Sequence, residues 1–221
     1  MPQTILIDVR HEWQEAWLTP SFRRRLMTGM VVLIMILSLL PRFFQMIERR
    51  HGVLLNDPVL RALQPHNVST LLFVILWGFT AYCTFRAAQT PKMFLTYLWS
   101  FIFLTAFRVL TIALIPLDPP VGLIGLVDPV SNFFYGSDKF VTKDLFFSGH
   151  TSAVFLLYLT VPGKTDKKLA LVATASVALL LLVQHVHYTL DILGGILFCW
   201  ISWQIATRTV LRLPPAGTLP E

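Results

Sequence analysis

Charged side chains are scarce in this sequence. They make up 14% of its 221 residues, whereas hydrophobic residues make up 55%. A soluble domain of this length has too little interior to hide so much apolar surface, so the composition excludes an ordinary soluble protein and favours a polytopic membrane protein. The length corresponds to one domain rather than two.

The sequence also shows no sign of a disulfide pair, a nucleic-acid-binding stripe or a signal peptide. It has two cysteines, Cys83 and Cys199, and both lie inside apolar runs, so we interpret them as small core residues rather than a disulfide pair. No basic stripe is interleaved with aromatic residues; the net charge of +6 is therefore attributed to basic residues at helix ends, and nucleic acid is set aside as a partner. Residues 1–25 lack the form of a signal peptide. We expect them to remain as a cytoplasmic segment, either a short surface helix or a solvated tail.

Long apolar runs are what the sequence does contain. About 20 apolar residues cross a bilayer, and the sequence predicts an all-α protein with six transmembrane helices. These make up a membrane domain at 26–213, followed by a tail at 214–221. The predicted spans are 26–47, 68–85, 93–115, 148–161, 169–184 and 189–210.

Lysine and arginine predict the orientation. Eleven lysine and arginine residues lie on one predicted side of the membrane, namely before the first span, in the loops after the second and fourth spans, and in the tail. Six lie on the opposite side. This bias predicts cytoplasmic termini, although the first loop is basic on the opposite side. The third and fifth spans then end, and the fourth and sixth begin, near the non-cytoplasmic face. The Pro- and Gly-rich stretch 116–147 is predicted to form a rim or lid there.

His187 and Asp191 stand at the head of the sixth span. On a helix, positions i and i+4 share a face, and a carboxylate there can hold one ring nitrogen and leave the other free for chemistry. Ionisable groups in spanning segments are costly and usually functional. The alternative interpretation is a helix-end pair that faces water at the membrane interface.

The stretch Ser148-Gly149-His150 stands at the head of the fourth span. Ser148 is a favourable N-cap and Gly149 allows close backbone approach, so the first helical turn offers an anion site. The alternative is an ordinary cap followed by an interfacial histidine. Asp144 could orient His150 or balance Lys143.

Arg108 lies inside the otherwise apolar third span, where it must snorkel or pair. A phosphate could accept hydrogen bonds from its planar guanidinium group. The alternative is a structural ion pair, for which the candidates are Asp118, Asp128 and Asp144. His185 is expected to point away from His187. Although His150, His187 and Asp191 could in principle ligate a metal, no cysteine or glutamate cluster accompanies them, so the sequence predicts no metal and no cofactor.

Together these motifs resemble a known family. Asp144 to Thr151 reads Asp-x-x-x-Ser-Gly-His-Thr, and His187 to Asp191 reads His-Tyr-Thr-x-Asp. Both are similar to signatures of the sphingomyelin synthase branch of the type 2 phosphatidic acid phosphatase superfamily. Arg108-x-x-Thr111 and the Ile115-Pro116 turn resemble an upstream element of that branch. The Lys…Arg-Pro signature of the phosphatase branches is absent.

The resemblance implies a six-helix, metal-free bundle that transfers a phospho-head group through a phosphohistidine. His187 would be the nucleophile, oriented by Asp191. His150 would act as acid and base, tuned by Asp144. The residues implied to bind the phosphate are Arg108, Ser148 and Gly149. The implied partners are the membrane, a phospholipid and a lipid alcohol such as ceramide, with a homo-oligomer left open.

Three other functions stay open on the sequence. With water as acceptor, the same residues would make a lipid phosphatase or a phospholipase of the C type. A transporter would need ionisable groups at several depths, whereas most of these cluster near one face. A catalytically inactive lipid-binding scaffold is disfavoured by the intact His150, His187 and Asp191.

Overall fold

The computed structural model describes residues 2–126 and 141–211; the predicted lid at 116–147 therefore lies partly outside the described residues. The described part is all-helical except for an isolated bridge between Val53 and Leu117. The helices are α1 (Pro2–Leu18), α2 (Pro20–Glu48), α3 (Pro58–Ala62), α4 (Ser69–Gln89), α5 (Pro91–Leu114), α6 (Gly149–Thr160), α7 (Lys164–Val183) and α8 (Thr189–Ile205), which continues as a π-helical turn (Ala206–Val210).

Each predicted span corresponds to one helix, but the helices differ in their capacity to cross a bilayer. By length and composition α2, α4, α5 and the segment Thr189–Val210 could do so, which indicates an integral membrane protein. Helix α6 has 12 residues, a length of about 18 Å against a hydrocarbon core of about 30 Å. Helix α7 begins with four charged residues among its first five. Four spans are thus supported, and the count of six stays a prediction.

The helices alternate in direction, so six of their termini meet at one end of the bundle. At this end the backbone N–H of His66 donates to the Val183 carbonyl across 3.0 Å and that of Ser148 to the Asp191 carbonyl across 3.0 Å. We call it the upper end. At the opposite end Arg86 pairs with Asp166 across 3.3 Å. The upper end gathers the C-termini of α2, α5 and α7 and the N-termini of α4, α6 and α8.

Two glycines let α8 lie close against the start of α6. A Cβ atom at Gly195 would lie 3.0 Å from the Ser148 carbonyl oxygen, and one at Gly194 would lie 3.2 Å from the Cβ of Phe147. Phe147 also stacks on Phe198 of α8, with ring centroids 5.0 Å apart. This packing sets the distance between the two motif-bearing segments.

Helix α1 shows that the N-terminal segment is helical rather than a solvated tail. The indole of Trp13 donates to the Ala88 carbonyl across 2.7 Å and packs edge-on against Phe22 and Phe94. These contacts dock α1 on the lower end of α2 and α5. Trp17 remains 46% exposed.

Candidate active site at the upper end

Asp191 ties the two motifs together. Its side chain is fully buried. Oδ2 accepts from the Tyr188 backbone N–H at 3.0 Å and faces Nδ1 of His187 at 3.2 Å. Oδ1 accepts from the Phe146 N–H at 3.2 Å, and the Asp191 carbonyl accepts from Ser148. A carboxylate in the first turn of a helix is also favoured by the helix dipole.

The pair of His187 and Asp191 forms, but not because both lie on one helical face. Helix α8 begins at Thr189, Tyr188 is its N-cap and Asp191 is the third helical residue of a capping box. His187 therefore precedes the helix, and the carboxylate reaches it by folding back over the N-terminus. Because a carboxylate can only accept, Nδ1 carries the hydrogen and Nε2 is left for chemistry.

Arg108 near the end of α5 pairs with Asp144, which was one of the predicted alternatives. Its Nη2 donates to both carboxylate oxygens, and its Nε donates to the Phe147 carbonyl at 3.3 Å. The side chains are only 17% and 12% exposed. The Thr111 hydroxyl one turn later donates to the Phe146 carbonyl at 3.0 Å. The end of α5 is thus fixed to the loop that precedes α6.

Gly149 lies directly beneath the guanidinium. A Cβ atom there would lie 2.5 Å from Cζ of Arg108 and 2.8 Å from each Nη. Ser148 is the N-cap of α6, as predicted, and its Oγ accepts from the Thr151 N–H at 3.3 Å. His150 is the second residue of α6 and is partly exposed. The guanidinium and the positive end of the α6 dipole thus lie together.

These contacts link six of the seven predicted site residues into two connected groups. One runs from Asp144 through Arg108 to Gly149, and the other from Ser148 through Asp191 to His187. His150 adjoins both through its neighbours in sequence. The structure places Asp144 on Arg108, and an effect of Asp144 on His150 stays a prediction.

Sequence reasoning gave no role to Asp57. Its Oδ2 accepts from the Thr189 backbone N–H at 2.6 Å and its Oδ1 from the Thr189 hydroxyl at 3.1 Å, while it also caps α3. Partial burial raises the pKa of Asp57, but hydrogen bonds from Thr189, Leu60 and Val59 outweigh it, and the net pKa is lowered. The sequence signals were weak: Asp57-Pro58 is a favourable start for a helix, and Asn56-Asp57-Pro58 only faintly resembles the first-loop signature of the sphingomyelin synthase branch.

Comparison with known proteins supports one class. Residues 143–208 match the family described as PAP2 superfamily C-terminal; this segment carries Asp144, Ser148, Gly149, His150, His187 and Asp191. The match supports the type 2 phosphatidic acid phosphatase superfamily, and with it an integral membrane enzyme of the lipid phosphatase or phosphotransferase type. No curated protein and no solved structure matches the chain. Within the described residues no group of three or more His, Cys, Asp or Glu side chains could hold a metal ion.

Proposed function

We propose that the protein is a lipid phosphotransferase of the sphingomyelin synthase type. It would move phosphocholine or phosphoethanolamine from a glycerophospholipid to a lipid hydroxyl such as that of ceramide. The observation that carries the proposal is the buried pair in which Asp191 holds Nδ1 of His187. An imidazole held through one nitrogen presents the other as a nucleophile.

In the first step Nε2 of His187 attacks the phosphorus and the bond from phosphorus to the diacylglycerol oxygen breaks. His150, acting as a general acid, gives a proton to the departing alkoxide. The positive charge that forms on the His187 ring is balanced by Asp191. Arg108 and the N-terminus of α6 stabilise the phosphoryl oxygens, with Asp144 positioning the guanidinium.

In the second step the acceptor hydroxyl attacks the phosphohistidine. His150 removes the hydroxyl proton, the bond from phosphorus to Nε2 breaks, and both histidines return to their starting states. If the acceptor is water, the same steps make a lipid phosphatase or a phospholipase of the C type. The matched family segment is consistent with either outcome.

We further propose that α6 and α7 complete a six-span domain with both termini in the cytoplasm and the upper end near the non-cytoplasmic face. The alternation of helix direction supports this, because α6 and α7 connect the upper end to the lower end and back. Thiol-reactive, membrane-impermeant labelling of cysteines placed singly at His66 and at Lys164 tests it. Labelling of both positions from the same side would contradict it.

The function is tested with purified protein in mixed micelles of phosphatidylcholine or phosphatidylethanolamine, with and without ceramide and without added metal. Mass spectrometry should find a ceramide phospho-head group and an equal amount of diacylglycerol. His187→Ala should abolish turnover with folding retained, whereas His66→Ala, at an exposed histidine, should not. Diacylglycerol with free head-group phosphate and no ceramide product would identify the hydrolase. A fully active His187→Ala would refute the mechanism.

A further inference from the structure

The end of α2 carries a glutamate that the proposed mechanism does not use. Glu48 is the last residue of α2, where the negative end of the helix dipole disfavours a carboxylate. Three hydrogen bonds offset that cost. Its Oε2 accepts from the backbone N–H groups of Thr142 and Lys143 at 3.0 and 3.1 Å, and its Oε1 accepts from the Thr142 hydroxyl at 2.6 Å. The carboxylate therefore holds residues 142–143 against the end of α2.

The held residues lead directly into Asp144. Its carboxylate accepts two hydrogen bonds from the Arg108 guanidinium. Adjacent Cα atoms are a fixed distance of about 3.8 Å apart, so a backbone that is fixed at Lys143 leaves Asp144 little room to shift. Glu48 thus acts on one partner of the ion pair.

The same end of α2 also holds the backbone that carries the other partner. Nη1 of Arg50 donates to the Ala113 carbonyl at 3.0 Å, and Nη2 donates to the Ile112 carbonyl. Both carbonyls belong to the last turn of α5, where they have no partner within the helix. Ile112 lies one helical turn after Arg108. The stretch 48–50 therefore contacts both backbones from which the ion pair projects.

Lys143 connects these contacts to one another. Its Nζ donates to the Arg50 carbonyl and pairs with Asp118 at 2.8 Å, and its side chain is 17% exposed. A buried apolar cluster of α2, α5 and the loop lies next to them and contains Leu40, Phe44, Ile47, Ile112 and Val141. The polar contacts are thus anchored on packed side chains.

We propose that Glu48 is a positioning residue for the phosphate site. Through residues 142–143 it sets the place of Asp144, and through Asp144 it sets the orientation of the Arg108 guanidinium. The inference rests on the proposed function, in which Arg108 stabilises the phosphoryl oxygens. Because two oxygens have to reach three donors, the length of the Glu48 side chain matters more than its charge.

The test compares substitutions that separate length from charge, in the head-group transfer assay with the full-length protein. Glu48→Gln keeps the length; its amide oxygen can accept from both backbone N–H groups while its NH₂ group donates to the Thr142 hydroxyl, so kcat should stay within about threefold of wild type. Glu48→Asp keeps the charge but is one methylene shorter, and Glu48→Ala loses every contact. Both should lower kcat about ten- to a hundredfold, the cost of a misplacement of about 1 Å.

Asp166→Ala is the matched control at the lower end of the bundle. Its carboxylate also joins separate elements, accepting from the Tyr82 hydroxyl at 2.9 Å and from Arg86 at 3.3 Å. The substitution should lower the melting temperature and leave kcat of the folded protein unchanged. A general loss of stability is thereby separated from a loss of positioning.

A double variant tests the route through the ion pair. If Glu48 acts through Asp144, Glu48→Ala should add little to the kcat defect of Asp144→Ala. Additive defects would overturn the proposal, as would a Glu48→Asp variant that is more active than Glu48→Gln. If Glu48→Ala fails to fold, the ranking of Glu48→Gln and Glu48→Asp decides.

Binding of inorganic phosphate needs no turnover and so separates this inference from the proposed function. Measured as protection against thermal unfolding, phosphate affinity should fall about three- to tenfold in Glu48→Asp and stay unchanged in Glu48→Gln and Asp166→Ala. Phosphate binding that depends on Glu48 without head-group transfer would support the inference and refute the transferase. Transfer that Glu48→Ala and Glu48→Asp leave unchanged would support the transferase and refute the inference. A wild-type protein with neither phosphate binding nor transfer would refute both.

Discussion

The contact between Gly149 and the Arg108 guanidinium gives the sharpest test of the proposed phosphate site. In Gly149→Ala the new methyl group would lie 2.5 Å from Cζ of Arg108, whereas non-bonded carbon atoms keep about 3.5–4.0 Å. The guanidinium therefore has to move by about 1 Å or more. Alanine itself suits the first turn of α6, so the effect should come from the displaced arginine.

Two losses follow from that displacement. The bonds from Arg108 to Asp144 and to the Phe147 carbonyl weaken while both charged side chains stay less than one fifth exposed, which should destabilise the protein by about 1–3 kcal/mol. Loss of one preorganised charge at a transferring phosphoryl group typically lowers kcat by about 10²–10³-fold. We expect a fall in kcat of that order with a moderate fall in melting temperature.

The assay is head-group transfer in micelles, with thermal unfolding followed on the same samples. Gly78→Ala is the matched control, since a Cβ at that helical position meets nothing within 4 Å, and it should leave transfer unchanged. If Gly149→Ala acts through the guanidinium, it should add little to the defect of Arg108→Ala. Full activity of Gly149→Ala, or additive defects in the double variant, would refute the reasoning.

Three further predictions concern the contacts around α8. Asp57→Asn should weaken the hydrogen bonds to Thr189 and reduce transfer. Because the pKa of Asp57 is lowered in the folded protein, the stability that its carboxylate provides is present above its unfolded pKa of about 3.9 and is lost as pH falls through the folded pKa. Melting temperatures of Asp57→Asn measured at decreasing pH should therefore lack this acid-induced decrease. Asp191→Asn should lower both kcat and the melting temperature, since its amide has one acceptor oxygen where both carboxylate oxygens now accept N–H groups and it cannot balance an imidazolium; an active variant would contradict this. Tyr188→Phe loses the bonds of its hydroxyl to the Asp118 carbonyl and the Leu55 N–H and should cost about 1 kcal/mol of stability in chemical denaturation; an unchanged midpoint would contradict it.

The helices and their convergence were predictable because apolar runs alternate with polar loops, a pattern that favours antiparallel helices. In such a bundle every second loop lies at the same end, so Arg108, Ser148 and His187 were predicted to share one end. The starts of α6 and α8 were also predicted to within a residue, since the change from polar to apolar composition is sharp at both.

The contacts inside the site were less predictable, because they depend on backbone geometry between the helices. The spacing of His187 and Asp191 was explained by a helical face, yet the observed contact comes from an N-terminal cap. The same spacing serves both geometries, so the sequence alone could not separate them. Asp57 was missed for another reason: its partner Thr189 lies 132 residues away, and nothing local indicates such a pairing.

The hydrogen bonds and the ion pair that hold this site lie at helix termini and in the loops between them. Asp191 caps α8, Ser148 caps α6, Asp57 caps α3 and reaches the first residue of α8, and Arg108 bridges the end of α5 to the loop before α6. Helix termini carry unpaired backbone groups that must find partners. In this protein Asp191, the carboxylate that meets that need at the start of α8, also holds His187. Substitutions at the lipid-facing positions of α2 and α4 should therefore leave the site intact, whereas changes at a cap disturb the fold and the chemistry together.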